Sequence, residues 1–583
     1  MKRYFRYLKE YKLQCILGPL FKWIEAALEL LVPLVMADII DTGVAAGDIG
    51  YVLRGGGLML LMGAVGFACA LFCQRSASIA SQGFGTNVRD ALFAHINTLS
   101  YRELDKIGSA SLVNRTVNDV NQMQSAVAMI IRLVVRAPFI AAGSVILCLV
   151  IDWQIGLIVL GVTVLVGLVL WLIMHKTVPY YSKNQKKLDR LAQIAGENLE
   201  GARVVRAFSN RENERARFDE AAADMLENSL KIGKISAWLN PLTYAIVNCG
   251  VALLLLVSGF KVDTGVLTNG EIIAVINYMA QILNAMIVIS NLVSLFTKAH
   301  ASMKRVSELF DTRSSMSEGG DAAFDLSAPA LEMEGVSFSY AGTDRYSLRG
   351  VTLRVPQGAT VGIIGGTGSG KTTLVSLIPR FYDAVSGSVR IDGQDVKRYT
   401  REALCEKIGV VQQKSVLFKG SIRENLRWGG ENAEDGALWE ALSTAQAAEV
   451  VRSKPGGLDF ELEQGGRNLS GGQKQRLSIA RALVKKPEIL ILDDSASALD
   501  FATDAALRRA IRGLGGGTTT FLVSQRIAGI RQADRILVLG NGRLVGQGTH
   551  DELMASCDVY REIYFSQFPE ERAAETAQKE GAL

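Results

Sequence analysis

A run from Ile155 to Met174 contains no charged side chain. A length of about 20 residues is enough for an α-helix to cross the hydrocarbon core of a bilayer. The preceding run, from Leu133 to Ile151, carries only one charged residue, Arg136. These two segments constrain the fold more than any other feature of the chain, and they predict a helical membrane domain.

Windows of similar hydropathy bring the number of predicted spans to six. Their approximate limits are residues 13–40, 54–73, 130–151, 155–174, 239–260 and 271–296. With their loops they place the membrane domain at residues 1–310. Met1 to Lys12 carries five basic residues among aromatics and lacks the cleavage site of a signal peptide. It is predicted to lie on the cytoplasmic membrane surface as a basic amphipathic entry helix.

The loops differ in charge. Arg75–Gln124 and Lys176–Ser236 are long and rich in Lys and Arg, whereas Asp41–Tyr51 has neither. The positive-inside rule therefore places both termini and both long loops in the cytoplasm, in a multi-pass protein of the inner or plasma membrane. Both loops keep helical spacing, which predicts membrane helices that continue beyond the bilayer. Short turns are expected near Lys106–Ser109 and Ser209–Arg211.

Ionisable residues inside the predicted spans are candidates for function, because burying them in lipid is unfavourable. Glu25 and Glu29 lie one turn apart on the first span, and Arg132 and Arg136 have the same spacing on the third. Two interpretations stay open at this point. The acids and arginines pair with one another to fix helix packing, with Arg136 reaching towards headgroups, or they bind substrate.

The sixth span has a polar stripe, which consists of Asn277, Gln281, Asn284 and Asn291 on one helical face. Such a stripe either lines a polar cavity or holds helices together, and we favour the cavity. The predicted cavity residues are therefore Glu25, Glu29, Asn277, Gln281 and Asn284.

Charge and cysteine content give no support to a nucleic-acid or metal site. The net charge of +5 is small for 583 residues, and no nucleic-acid partner is predicted. Five of the seven cysteines lie in apolar segments, and the chain has no CxxC spacing. The cysteines are therefore interpreted as small apolar packing residues rather than metal ligands.

The second half of the chain reads as a soluble α/β domain at residues 331–567, after a polar linker at 311–330 and before a polar tail at 568–583. A buried strand at Val361–Ile364 leads into a GxxxxGK[ST] loop with a helical pattern behind it. The predicted phosphate-binding residues are Gly365, Gly366, Thr367, Gly368, Ser369, Gly370, Lys371, Thr372 and Thr373. This motif predicts that ATP and Mg²⁺ bind here.

Each part of the motif has a physical role. The glycines let backbone N–H groups wrap the phosphates, Lys371 reaches the β and γ oxygens, and the Thr372 hydroxyl can ligate Mg²⁺. A second apolar strand at Ile489–Leu492 ends in Asp493 and Asp494, and Asp493 is the predicted carboxylate on the Mg²⁺ side.

Leu469–Gln473 combines a hydroxyl, a glycine pair and an amide in front of a helical pattern. Backbone amides at such a helix start can hold a phosphate. The segment is incomplete by itself, because the phosphate cradle lies elsewhere in the sequence.

With these motifs the chain resembles a half-transporter of the ATP-binding cassette (ABC) exporter family over nearly its whole length, up to about Gln567. The resemblance implies a membrane α-helical domain of six transmembrane helices, followed by an α/β P-loop NTPase domain of the ABC ATPase type. It assigns adenine stacking to Tyr340 and the Mg²⁺-side Q-loop position to Gln413. It also implies a signature made of Ser470, Gly471, Gly472 and Gln473, a D-loop at Leu499–Asp500, a segment facing the membrane domain at Glu463–Arg467, and coupling segments at Tyr101–Asp119 and Glu197–Phe208.

The resemblance also implies how the chain works. Cassettes of this family pair head to tail, so that each ATP lies between one phosphate loop and the signature of the other chain. A second half-transporter is therefore an expected partner, beside the lipid membrane and a small-molecule or lipid substrate. ATP binding and hydrolysis drive alternating access, and the expected cargo is a small amphipathic drug or lipid.

Two positions depart from the family pattern. Asp494 stands where the family has the Glu that orients the attacking water, and Gln525 stands where it has the switch His. The missing methylene and the neutral amide predict a site that binds ATP but hydrolyses it slowly. Since the signature is intact, we expect a heterodimer, with a homodimer of two slow sites as the alternative. An ATP-gated membrane protein and an importer on the same scaffold are further alternatives, and six fused spans argue against a soluble ABC ATPase.

Overall fold

The computed structural model describes residues 2–317, 319–320, 325, 327–340, 343, 345–495, 498–514 and 517–571. Part of the predicted linker and the predicted tail from residue 572 onwards lie outside these residues. The chain forms two compact units. The first consists of Met1–Asn97 and Ser109–Asp311, and the second of Thr98–Gly108 and Thr312–Leu583.

Helices build the first unit, and one short helix within this stretch, α4, belongs to the second unit. In chain order they are α1 (Lys2–Phe5), α2 (Lys12–Asp38), α3 (Ile49–Thr98), α4 (Tyr101–Ile107), α5 (Ser109–Asn114), α6 (Val120–Met129), α7 (Arg136–Ile151), α8 (Trp153–Glu200), α9 (Ala202–Ala207), α10 (Arg211–Ala237), α11 (Leu239–Asp263) and α12 (Asn269–Asp311). A 3₁₀ turn at Arg6–Tyr11 and π-helical turns at Ile39–Val44, Arg115–Asp119 and Ile130–Val134 interrupt or join them.

Several of these helices are much longer than the about 20 residues that a bilayer requires. Helices α3 and α8 have 50 and 48 residues. The predicted turns also occur, since Gly108 has a φ of 80° and Ser209 a φ of 51° at the breaks between helices. The long loops predicted from Lys and Arg content are therefore helical extensions.

Among the described residues, five helical stretches are long and apolar enough to cross a membrane, namely Ile49–Thr98, Ser109–Ile151, Trp153–Glu200, Arg211–Asp263 and Asn269–Asp311. Helix α2, which contains the first predicted span, is not among them because of its charged residues. Every 18-residue window in it contains Lys22, Glu25 and Glu29, so each window carries at least three charged side chains. The six-span arrangement therefore stays a prediction, and its first member is an unusually charged helix.

A buried apolar seam holds the helices of the first unit together. Tyr278 on α12 is fully buried and donates a hydrogen bond of 2.7 Å to the backbone oxygen of Leu30 on α2. The entry segment packs on the same long helix, since the Tyr4 hydroxyl lies 2.8 Å from Ser307 Oγ and the Tyr7 ring stacks on Phe310. Tyr4 and Tyr7 are thus used for packing within the protein, whereas Phe5 is exposed.

Strands and short helices build the second unit. The strands are β1 (Leu331–Phe338), β2 (Leu348–Val355), β3 (Thr360–Gly365), β4 (Ser386–Ile391), β5 (Gln394–Asp395), β6 (Ile408–Val411), β7 (Gly420–Ser421), β8 (Glu461–Leu462), β9 (Ile489–Asp493), β10 (Thr519–Val523), β11 (Arg535–Gly540) and β12 (Arg543–Gly548). The helices that follow α12 are α13 (Lys371–Leu377), α14 (Arg401–Lys407), α15 (Ile422–Arg427), α16 (Asp435–Thr444), α17 (Ala448–Arg452), α18 (Gly471–Val484), α19 (Phe501–Arg512), α20 (His550–Ser556) and α21 (Asp558–Gln567).

The main sheet has the order β12-β11-β3-β10-β9-β6, and its strands run parallel except for the edge strand β12. A second, antiparallel sheet has the order β2-β1-β4-β5. Strand β9 is buried at all five residues, as expected for a central parallel strand. Parallel pairing brings the carboxyl ends of β3, β9 and β10 to one edge, where the predicted site residues follow each strand.

Candidate nucleotide-binding site

The phosphate loop joins β3 to α13. Gly368 and Gly370 have φ angles of +77° and +99°, a region that L side chains rarely adopt. A Cβ on Gly370 would lie 2.8 Å from the backbone oxygen of Ser347. Both glycines are therefore required for the loop to curl in front of the helix start, where backbone amides can face an anion.

Lys371 is the first residue of α13 and folds back over the loop. Its Nζ donates hydrogen bonds of 2.8 Å to the backbone oxygens of Gly365 and Gly366, and the side chain is buried. Burial lowers the pKa of Lys371, while the nearby carboxylates of Asp494 and Asp493 act against that shift. The ammonium is thus held within the loop, close to two acids.

Asp493 ends β9 inside the main sheet. Its Oδ1 accepts a hydrogen bond of 3.1 Å from the Thr372 hydroxyl, which links the second acidic strand to the phosphate loop. Burial raises the pKa of Asp493, with a contribution from neighbouring Asp494, while Thr372 and Lys371 oppose the rise. The sequence predicted these side chains to act together, and the fold brings them into direct contact.

Asp494 occupies the turn after β9, with a positive φ of 44° that Asp tolerates better than most residues. Its Oδ2 lies 3.5 Å from the side-chain nitrogen of Gln413 and 3.5 Å from that of Gln525. Burial raises the pKa of Asp494, and the positive charges of Lys371 and Arg526 oppose that rise. The carboxylate therefore faces two neutral amides.

A cavity of about 1150 Å³ connects these groups. Its lining includes Tyr340, Thr367 to Thr373, Gln413, Asp493, Asp494 and Gln525. The Tyr340 hydroxyl lies 3.1 Å from Thr373 Oγ1, and its ring makes edge-to-face contacts with Phe338 and Tyr382. The predicted adenine-stacking and catalytic positions thus share one cavity with the phosphate loop from Thr367 to Thr373, whereas Gly365 and Gly366 are not among the described residues that line it.

Sequence reasoning missed three arginines that also line this cavity, namely Arg345, Arg349 and Arg543. Arg543 follows the Asn541–Gly542 turn between β11 and β12, whose φ angles of 50° and 76° suit a two-residue hairpin. The Gly542 N–H donates to the backbone oxygen of Ser369 at 3.1 Å, so this hairpin touches the phosphate loop. An Asn-Gly pair between apolar runs predicts the hairpin, but it does not predict that the hairpin contacts the phosphate loop.

The signature residues lie at the start of α18. Ser470 Oγ accepts a hydrogen bond from the Gln473 N–H, and Gln473 Oε1 accepts one from the Ser470 N–H, which forms a capping box. The lining of the cavity includes none of Ser470 to Gln473 among the described residues. Gly471 and Gly472 begin the helix, so their amides are available at an N-terminus that favours anions.

Asp500 and the first coupling segment also have defined contacts. The carboxylate of Asp500 caps α19, where it accepts hydrogen bonds from the Thr503 N–H and hydroxyl at 2.9 and 2.8 Å. Helix α4 packs within the second unit, since the Tyr382 hydroxyl donates to Asp105 at 2.5 Å and the Tyr101 ring lies 4.9 Å from that of Phe381. The other predicted coupling segment contains α9, which belongs to the first unit.

The donor set near the phosphate loop fits a hard cation. The Thr372 hydroxyl, the Asp493 carboxylate and the Gln413 amide line the same cavity, and all three offer oxygen ligands. No group of three or more His, Cys, Asp or Glu side chains among the described residues could hold a metal by itself. Such a sparse set suits Mg²⁺ shared with phosphates and water rather than an ion enclosed by protein.

The predicted substrate residues occupy the first unit. Lys22 Nζ pairs with Glu25 on the same helix at 2.7 Å, and Arg136 pairs with Glu29 across helices at 2.7 Å. Gln281 donates to the Glu29 backbone oxygen at 3.4 Å. Asn277 bonds to the backbone of its own helix at 2.9 Å, and Asn284 is exposed in this single chain. The pairing of Glu25 with Lys22 differs from the acid–arginine pairing considered from the sequence.

Comparisons with known proteins agree with this architecture. The family model of the ABC transporter transmembrane region matches residues 15–286, and the ABC transporter model matches residues 348–497. The ABC transporter ATP-binding protein YfiB of Bacillus subtilis is 36% identical over 572 residues, which cover 98% of this chain and 99% of that protein. The ATP-dependent lipid A-core flippase of Chromobacterium violaceum is 32% identical over 517 residues, covering 89% and 88%. The structure of a bacterial Atm1-family ABC exporter with ATP bound matches with a TM-score of 0.80 and 25% identity, covering 96% of this chain and 99% of that one.

Helices able to span a membrane, on the same chain as a P-loop ATPase unit, define an ATP-driven membrane transporter. The chain belongs to the ABC transporter family. Within the family it is an exporter half-transporter, which binds and hydrolyses ATP for transport and works as a dimer in a membrane.

Proposed function

We propose that this chain is the slow-site subunit of a heterodimeric exporter. Its own phosphate loop binds ATP and Mg²⁺ but supports little hydrolysis, and its signature completes the competent site on a partner half-transporter. The observation that carries this proposal is the surroundings of Asp494. Its side chain is one methylene shorter than Glu, and its carboxylate lies beside the neutral amides of Gln413 and Gln525.

Retained ATP binding is supported by the loop and its surroundings. The amides of the phosphate loop, the buried Lys371 ammonium and the Tyr340 ring face one cavity large enough for a nucleotide. Thr372, Asp493 and Gln413 would hold Mg²⁺, which neutralises phosphate charge when bound. These groups have the residue types that ATP binding requires.

Slow hydrolysis follows from the geometry of the acid. The Asp494 side chain is one methylene shorter than Glu, and its backbone is fixed by a hydrogen bond of 3.1 Å from its N–H to the Val523 oxygen. The carboxylate is therefore withdrawn from the position that a Glu would reach. A displacement of about 1 Å from the attacking water costs on the order of 100-fold in rate. Gln525 can donate a hydrogen bond to a γ-phosphate, but it cannot become a cation.

The signature supports a role on another chain. Ser470 to Gln473 form a complete capping box with glycine amides at the start of α18, outside the cavity of their own chain. A helix N-terminus of this kind favours an anion such as a nucleotide phosphate. The intact signature and the altered acid thus serve different sites.

The substrate and location follow from the membrane unit and the relatives. We propose an inner or plasma membrane location with both termini and the cassette in the cytoplasm, since Lys and Arg are concentrated in the helical extensions. One relative is a lipid A-core flippase, and this supports a small amphipathic drug or lipid as cargo.

The proposal predicts how ATP turnover depends on the partner. The chain purified alone in nanodiscs is expected to hydrolyse ATP at about 1% of the rate of the chain co-purified with a co-encoded half-transporter that has the Glu and His. Phosphate release measures both rates, and equilibrium ATP binding confirms that each preparation is folded. Substrate-stimulated turnover of the single chain at the rate of the pair would instead establish a homodimeric exporter.

A further inference from the structure

Five charged side chains lie together within the predicted membrane spans. Lys22, Glu25 and Glu29 are on α2, while Arg132 and Arg136 lie in and just after the π-helical turn Ile130–Val134. We call these five residues the charge cluster. It contains three cations and two anions, so it carries one net positive charge.

The ion pairs identify which cation is left over. Lys22 pairs with Glu25 at 2.7 Å, and Arg136 pairs with Glu29 with both carboxylate oxygens within 2.9 Å of its Nη2. Both acids are therefore neutralised. Among the described residues, Arg132 has neither an ion pair nor a hydrogen bond, and its Nε is buried without a partner.

Arg132 lies close to the pair formed by Lys22 and Glu25. Lys22, Glu25 and Arg132 all lie close enough to the buried Cys73 thiol of α3 to interact with it electrostatically. Of these three, only Glu25 is acidic, and it is engaged by Lys22. The Nε of Arg136 is likewise buried and without a partner, as is the acceptor Oε1 of Gln281, whose amide nitrogen bonds to the Glu29 backbone.

Burying an uncompensated guanidinium in a membrane segment costs free energy, so such a residue is a candidate for function. Guanidinium groups bind phosphate and carboxylate oxygens through paired N–H donors. The acids predicted from sequence as substrate ligands are already paired, so they leave no free negative charge for a cationic substrate. The cluster is instead complementary to an anion.

We propose that Arg132 binds the anionic headgroup of the transported amphipath, a phosphate ester or carboxylate, while the apolar part of the substrate stays within the membrane unit. This inference rests on the proposed export function and specifies its substrate class. Lys22 and Glu25 form the neutral rim of the site, and Arg136 is held by Glu29 beside it.

Equilibrium binding without ATP tests this inference separately from the slow-site proposal. The full chain in phosphatidylcholine nanodiscs is titrated with three probes: oleoyl lysophosphatidic acid, monooleoylglycerol, which has the same acyl chain but no phosphate, and glycerol 3-phosphate. We expect the phosphatidic probe to bind at least about tenfold more tightly than monooleoylglycerol, because one charge-assisted contact is worth that much. Equal affinity of the two lipid probes would overturn the proposal.

Variants of the cationic residue assign the effect. Arg132→Gln should lose about tenfold in affinity for lysophosphatidic acid, and Arg132→Lys should retain most of it. Arg54→Gln, which removes an exposed arginine elsewhere in the membrane unit, should leave the affinity unchanged. Unchanged binding by a folded Arg132→Gln would contradict the assignment, and the comparison of probes on the unaltered chain decides the question if that variant does not fold. Equally tight binding of glycerol 3-phosphate would support the anion site and assign it to soluble phosphate esters.

Discussion

The double substitution Asp494→Glu, Gln525→His is expected to raise ATP turnover of the chain purified alone by about 100-fold. The added methylene carries the carboxylate past Gln413 towards the attacking water. The imidazole supplies a group that can become cationic beside the γ-phosphate, which the amide of Gln525 cannot do. Phosphate release at saturating ATP and Mg²⁺ measures the gain.

A matched variant separates the acid from the histidine. Asp494→Asn combined with Gln525→His introduces the imidazole without a carboxylate, so its turnover should stay at the level of the unaltered chain. Both variants should bind ATP with unchanged affinity, because neither alters the phosphate loop. If the Glu–His variant binds ATP normally but turns over no faster, the acid and the switch position do not limit hydrolysis in this chain.

Replacing Lys371 with Ala is expected to weaken ATP binding by about 100-fold. The positive charge of the ammonium opposes the rise that burial causes in the pKa of both Asp493 and Asp494. Without it, two acids would face the phosphates with less compensation. The loop would also lose the hydrogen bonds from Nζ to the Gly365 and Gly366 oxygens.

Lys397→Ala is the control for this variant. Lys397 is exposed in the second unit and does not line the nucleotide cavity, so its loss should leave ATP affinity unchanged. Calorimetric titration of the full chain with ATP and Mg²⁺ gives both dissociation constants. An affinity of Lys371→Ala within about threefold of the unaltered chain would show that binding depends on other groups, such as the arginines at the rim of the cavity.

Local sequence patterns predicted much of this fold. The charge-free run at Ile155–Met174 lies inside α8, and the helical spacing of the long loops predicted that the membrane helices continue past the bilayer. The glycine loop after Val361–Ile364 and the acids after Ile489–Leu492 follow strands β3 and β9, which lie on either side of β10 in the main sheet. The sequence predicts these features because hydrophobic periodicity, glycine-rich loops and the acids that follow a strand are local properties of a sequence.

Contacts between distant segments were not readable in the same way. Glu29 and Arg136 are 107 positions apart, so their ion pair is not a local feature of the sequence. The sequence also does not show that Glu25 pairs with Lys22 rather than with Arg132. The same limit applies to Arg345, Arg349 and Arg543, which reach the nucleotide cavity through strand pairing and a hairpin turn. Such choices depend on how helices and sheets pack, and one sequence does not contain that information locally.

The proposed function requires that ATP is hydrolysed at the phosphate loop of the partner and only slowly at that of this chain. It is tested most directly by finding which of the two chains holds the ADP that hydrolysis produces. The chain co-purified with a co-encoded half-transporter is given Mg²⁺, vanadate and a photo-reactive ATP labelled on its α-phosphate, and is then irradiated. Vanadate retains ADP where hydrolysis has taken place, and the phosphate loop of that site belongs to a single chain. We expect label on the partner half-transporter, and equal labelling of both chains would contradict the assignment of the slow site to this chain.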